Sequence, residues 1–187
     1  GVNLFTKKKF FFFNKKKRIN PNSRLFNKEL GGGCILDLGC YTTSFSLLIA
    51  SLINKKNLEN FRLSNVTKEI GETGVDIESS AEIIFLDGFK SKILASFKNN
   101  LGNISEIVGK KGRVIINDTW KGSNVILRMN NEKDQNIQFE STENIYSRQI
   151  REISHRLLLG SNGHSFPVMS LNETLTNTKM IENWLNY

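Results

Sequence analysis

The chain has 187 residues, 39% of them hydrophobic and 24% charged, with a formal net charge of +8. That length fills one core and one domain, residues 1–187, and no apolar run comes near the ~20 residues that span a bilayer, which excludes a membrane-spanning reading. Cys34 and Cys40 lie six apart, pointing in different directions on a helix, which excludes a disulfide or a shared metal and leads to the expectation of reduced thiols in a cytoplasmic setting.

The sequence opens Gly1-Val2 with neither an initiator methionine nor a signal-like segment, and is expected to be a fragment of a longer protein. Residues 2 to 14 read as a strand. Around it, KKKFFFFNKKKR at positions 7 to 18 interleaves cations with aromatics, as single-strand nucleic-acid binders do. Lysine, asparagine, isoleucine and phenylalanine are frequent along the whole chain, however, and a lysine run beside a strand keeps a sheet edge soluble. Nucleic acid is therefore set aside as a partner. Phe10 to Phe13 alternate faces on a strand, so both faces need cover. Helices on one side and a partner subunit on the other would supply it, which predicts a homodimer or tetramer through the sheet face.

After the polar connection RINPNSRLFNKEL, residues 32 to about 53 carry Ile35, Leu38, Tyr41, Phe45, Leu48 and Leu52 at spacings of three and four. This is the signature of an amphipathic helix. Seven short segments follow, at about 59–69, 77–87, 90–98, 104–109, 112–118, 123–130 and 135–141, and several alternate apolar with polar residues. The connections LDGFK, GKKG, KGSN and NNEKDQ are of hairpin length, so the strands are expected to be mostly antiparallel neighbours. A helix bearing Tyr146, Ile150, Ile153 and Leu157 ends at Gly160. The last begins at Ser170 as N-cap and bears Leu171, Leu175, Ile181 and Leu185. Strands grouped together with helices at the ends predict an α+β fold.

No GxGxxG after a strand, GxxxxGK[ST], HExxH or CxxC occurs, so neither a nucleotide fingerprint nor a metal site is legible. His155, in a predicted helix, and His164, in a loop, have no partner spacing and read as ordinary polar residues, and Trp120 and Trp184 read as structural. The segment GGGCILDLGCY, residues 31 to 41, is different. An ionised group in an apolar run costs several kcal/mol unless paired, and on an α-helix Gly33, Asp37 and Tyr41 share a face. The glycines would admit another molecule to the backbone, and the helix start would offer free N–H groups. Asp37 could then grip a hydroxyl while Tyr41 exchanges its proton. A phenol needs a nearby cation for this, since removing its proton near pH 7 costs ~4 kcal/mol. Spacing alone favours a satisfied buried acid and a core aromatic.

KELGGGCILDLGCY, preceded by NPNSRLF, closely resembles the C-terminal domain of the glucose–fructose oxidoreductase / inositol dehydrogenase (Gfo/Idh/MocA) family, in its dihydrodiol-dehydrogenase-like branch, where the final motif residue is tyrosine. GVDIESSAEIIFLDGFKSKILASF, ISEIVGKKGRVIINDTWKG and SFPVMSLNETLTNTKMIENW are similar to the family's later strands and closing helix. The resemblance implies a large, mostly antiparallel open sheet with helices on one face. It also implies an NAD(P)-dependent oxidoreductase acting on a small hydroxylated compound, a sugar, polyol or dihydrodiol. Asp37 matches the substrate-orienting acid, Tyr41 the proton donor or acceptor, and Gly31, Gly32 and Gly33 the approach to substrate and nicotinamide. Arg24 matches a basic residue that often precedes the motif. The family's Rossmann domain, with the lysine of its E-K-P motif, is absent from this sequence. NAD or NADP is therefore expected to bind mainly to that other domain, with none bound by this chain alone, and the last helix is a candidate to pack against it. The competing expectation is a non-catalytic β-sheet interaction domain.

Overall fold

The computed structural model describes residues 20–53, 58–120, 124–139, 143–160 and 168–187, and the backbone alone of 3–9. One eight-stranded sheet organises them: β1 (Asn3–Lys9), β2 (Phe61–Ile70), β3 (Asp76–Phe85), β4 (Lys90–Ser96), β5 (Ser105–Gly109), β6 (Gly112–Asn117), β7 (Asn124–Met129) and β8 (Gln135–Gln138). Their order across the sheet is β2-β3-β4-β1-β5-β6-β7-β8. Every pairing is antiparallel except β1 with β4, which run parallel from Asn3↔Lys90 to Lys9↔Ser96. The short connections produce the antiparallel hairpins, as expected of loops too short for a crossover. The first strand instead fills the centre of the sheet. The phenylalanine run Phe10–Phe13 and His164 lie outside the described residues.

Three helices complete the fold: α1 (Cys40–Ile53), α2 (Ile145–Leu158) and α3 (Leu171–Asn186). The side chains of β3 alternate, with Ser79, Ala81, Ile83 and Phe85 turned inward, and Ile93 and Ala95 of β4 lie beside them. On this face α1 sets Leu47, Ile49 and Ala50, and α3 sets Met180 and Trp184, forming one core. Helices thus cover one face of an α+β sheet. Residues Lys28–Ile53, taken as one helical stretch of 26 residues, are by length and composition alone apolar enough to cross a bilayer, which the sequence reading did not anticipate; half of its most apolar window is buried within this fold. Here it is a core helix.

The last helix begins with a reciprocal cap: Ser170 Oγ accepts the Glu173 N–H at 3.2 Å and Glu173 Oε2 accepts the Ser170 N–H at 2.8 Å, which satisfies donors that a helix start otherwise leaves open. The indole of Trp184 is fully buried and donates Nε1–H to Ser79 Oγ at 2.9 Å. The inner face of α3 is therefore used within the domain. By contrast α2 buries no residue among those described, and Tyr146, Ile150, Ile153 and Leu157 stay exposed.

Candidate functional site

The predicted helix from residue 32 starts later than its periodicity suggests. Ile35–Gly39 form one turn of π-helix, with the Cys40 N–H donating to Ile35 O, and the α-helix proper begins at Cys40. At the end of this turn Gly39 O accepts from Thr42 Oγ1 at 2.8 Å and Thr43 Oγ1 at 3.2 Å. Single-turn π segments of this kind are frequent at functional sites.

Asp37 sits in the middle of that turn. Its side chain is 14% exposed, and its Oδ1 accepts from Arg24 at 2.8 Å. The cost of placing an acid in an apolar run is met by this ion pair. Arg24 reaches it from a short 3-10 turn, Arg24–Phe26, entered through Ser23, whose Oγ accepts the Leu25 N–H. The structure thus brings together Arg24 and Asp37 from thirteen residues apart.

Tyr41 follows in the first turn of α1. The additional residue of the wide turn rotates it away from a strict i, i+4 stack on Gly33 and Asp37, and the residue is 48% exposed. Its ring meets Trp120 edge-on, with centroids 5.8 Å apart, and Trp120 also contacts Phe45 at 6.1 Å. Burial pushes the phenol above its ordinary value, and Cys40, Asp37 and Tyr146 add to the rise. Tyr41 is therefore a protonated phenol near neutral pH, within electrostatic reach of Asp37. Trp120, read from the sequence as structural, belongs to the immediate surroundings of Tyr41. No local pattern marks it, because its partner lies 79 positions earlier in the chain.

The glycines lie close to the chain's own atoms. Gly31 closes the 3-10 turn Lys28–Leu30 in the left-handed region at φ 70°, where a side chain is strained. A Cβ on Gly32 would lie 2.8 Å from the carbonyl oxygens of Leu25 and Asn27, and one on Gly33 would collide with the carboxylate of Asp76. At Gly32 and Gly33 the close neighbour is the chain itself. The amides expected to be free are also used internally: Gly32 N–H donates to Asn27 O, Gly33 N–H to Leu25 O, and Ile35 N–H to Asp76 Oδ2 at 2.7 Å.

Asp76, which the sequence reading passed over, is 6% exposed at the head of β3. Beside it the Cys34 thiol is pushed far above its ordinary value, first by burial and then by the Asp76 carboxylate. Neither cysteine forms a disulfide. His155 is exposed on α2. Among the described residues, no three His, Cys, Asp or Glu side chains gather in a way that could hold a metal ion.

No protein-family model matches the chain. It is similar to trans-1,2-dihydrobenzene-1,2-diol dehydrogenases of Xenopus tropicalis and Xenopus laevis, each 34% identical over 106 residues, which is 56% of this chain and 30% of the relative. Among solved structures it is similar to aldose-aldose oxidoreductase from Caulobacter crescentus complexed with glycerol, at TM-score 0.74 and 19% identity, over 98% of this chain and 52% of the other. A 3-ketoreductase from Actinomadura kijaniata, in complex with NADP and TDP-benzene, superposes at TM-score 0.75 and 13% identity, over 96% of this chain and 51% of the other. The chain thus spans about half the length of those structures, and its match reaches less than a third of the curated relatives.

Proposed function

Taking the C-terminal domain of a Gfo/Idh/MocA oxidoreductase as the assignment that the curated relatives and the fold together support, we propose that this chain is the substrate-binding and proton-transferring part of an NAD(P)-dependent oxidoreductase. Its substrate is a small hydroxylated compound, a sugar, polyol or dihydrodiol. The observation that carries the reading is the pairing of Asp37, held by Arg24, with a half-exposed phenol, Tyr41, that feels the charge of Asp37.

In this reading Asp37 accepts a hydrogen bond from one substrate hydroxyl and fixes its orientation, and Arg24, bonded to Oδ1 at 2.8 Å, keeps the carboxylate aimed. Tyr41 exchanges a proton with the reacting oxygen, and Trp120 limits the swing of its ring. Gly31 stands at the entrance to this space. Burial and neighbouring charge hold the Tyr41 proton on, so a cation has to come from outside these residues, and the chain by itself is expected to be inactive. A nicotinamide, where the whole protein binds one, supplies the hydride acceptor. That the amides of Gly32, Gly33 and Ile35 bond within the chain supports a cofactor held mainly by another domain. A homodimer or tetramer through the sheet face and a cytoplasmic setting complete the proposal.

The competing reading, a β-sheet interaction domain without catalysis, draws on the same ion pair, since Arg24 satisfies Asp37 without any ligand. A form of the protein carrying a dinucleotide-binding domain separates the two. There Tyr41→Phe is expected to remove most turnover while circular dichroism stays unchanged. Turnover equal to the parent's would refute the proton-transfer role.

A further inference from the structure

Asp76 is a buried acid that the proposed chemistry does not use, and its surroundings are specific. Its Oδ2 takes the N–H of Ile35, the first residue of the wide turn, at 2.7 Å. Gly33, at φ +117°, folds its backbone around the other carboxylate oxygen, where a Cβ would collide. The opposite end of the turn is held just as closely: a Cβ on Gly39 would lie 2.7 Å from Trp184 Cζ3, and that indole is tied to Ser79. Asp76 and Ser79 both belong to β3, which pairs on both sides, with β2 and with β4. The turn bearing Asp37 is therefore fixed at its two ends from one rigid strand.

We infer that Asp76 is a positioning residue for the Asp37–Tyr41 site, setting the wide turn through the Ile35 amide and so the direction in which Asp37 and Tyr41 face; this rests on the reading of those two residues given above. The carboxylate suits the task twice over. As an acceptor it fixes the first amide of the turn, and as an anion it is favoured at a helix start, where the backbone dipoles point their positive end. It is not placed to touch a substrate, being enclosed by Gly33, Cys34 and Ile35.

The test reads the Tyr41 phenol directly and needs no turnover. In the chain labelled with 13C-tyrosine and assigned by Tyr→Phe variants, Asp76→Ala is expected to move the Tyr41 titration midpoint towards the ordinary phenol value. Asp76→Asn keeps an acceptor for the Ile35 amide and is expected to restore the parent midpoint. Ile83→Val, a core change at the far end of the same strand, is expected to lower stability without moving it. Where Asp76→Ala does not fold, Asp76→Glu, whose longer side chain cannot sit under Gly33, takes its place with the same expected direction. An unmoved midpoint in Asp76→Ala or Asp76→Glu, or an equal shift in Ile83→Val, overturns the inference. In a dinucleotide-binding form, Asp76→Ala is further expected to lower kcat by about 10–100-fold, the scale of a small misplacement of reacting groups. Should the oxidoreductase reading alone fail, Tyr41→Phe leaves turnover intact while the Asp76 shift persists; should this inference alone fail, Tyr41→Phe removes most turnover and the midpoint stays fixed.

Discussion

Replacing Gly39 by alanine puts a methyl group 2.7, 3.3 and 3.4 Å from Cζ3, Cη2 and Cε3 of Trp184. On an open helix surface that substitution gains about 1 kcal/mol, because glycine costs backbone entropy. Here the ring has nowhere to go: Trp184 is 0% exposed and its Nε1–H is bonded to Ser79 Oγ at 2.9 Å. Overpacking a filled core costs about 1–3 kcal/mol, and a ring that retreats also gives up a hydrogen bond with a net value of about 1 kcal/mol. A net loss of about 1–3 kcal/mol is therefore expected, or a fall in Tm of about 2–12 °C for a domain of this size. Urea unfolding followed by circular dichroism measures it, together with the Trp184→Phe single and the double variant. The smaller phenyl ring withdraws from the added methyl, so the double variant is expected to be more stable than the two single losses summed, by about 0.5–3 kcal/mol. A Gly39→Ala chain as stable as the parent, or strictly additive losses, would refute the argument that the indole pins this turn.

Thiol chemistry offers an independent check of the packing: in the native chain at pH 8 a thiol reagent is expected to modify half-buried Cys40 and to spare Cys34, which is 0% exposed and becomes reactive only in denaturant. Early modification of Cys34 would show that the turn opens. The same thiol has a pH consequence. Its folded pKa is raised, so the folded chain keeps a proton that the unfolded chain loses; stability is full below the thiol's ordinary 9.0 and falls above it, at about 1.4 kcal/mol per pH unit. Cys34→Ala is expected to flatten that alkaline slope in denaturant titrations, and an unchanged slope would assign it to other groups. At the start of α3, Ser170→Ala removes one half of a reciprocal cap and is expected to cost about 1 kcal/mol, whereas Ser170→Asp should restore most of it.

The sheet and helices were legible because each announces itself locally. Alternation of apolar with polar residues marked the short segments from about 77 to 130 as strands, three-and-four spacing marked Ile150, Ile153 and Leu157 as one stripe of a helix, and Ser170 stood out as the N-cap of the last helix. Asp37, Tyr41 and Arg24 could be named from the glycine-rich motif and its resemblance. What stayed hidden depends on partners distant in sequence. A wide turn inserts one residue into a helix without disturbing the order of apolar positions, so Ile35–Gly39 looked like ordinary helix. The close approach of Asp76 to Gly33 was hidden because the two lie 43 positions apart. Trp120 carries no local sign that it will meet Tyr41, and the central place of β1 is decided by strands that the chain reaches only much later.

That central place has a consequence for how the molecule is assembled. The strands β2-β3-β4 on one side and β5-β6-β7-β8 on the other are each built from neighbouring hairpins, and β1 alone lies between them, joined to β4 and to β5. Each half needs only short loops to close and can form quickly. The join needs Asn3 to meet both Lys90 and Val108, a long-range closure whose entropy is paid before any contact rewards it. The first strand of the sheet in chain order is thus the last to find its place. Until it does, two exposed edges, β4 and β5, face each other across a gap the width of one strand, and any other extended segment can compete to fill it.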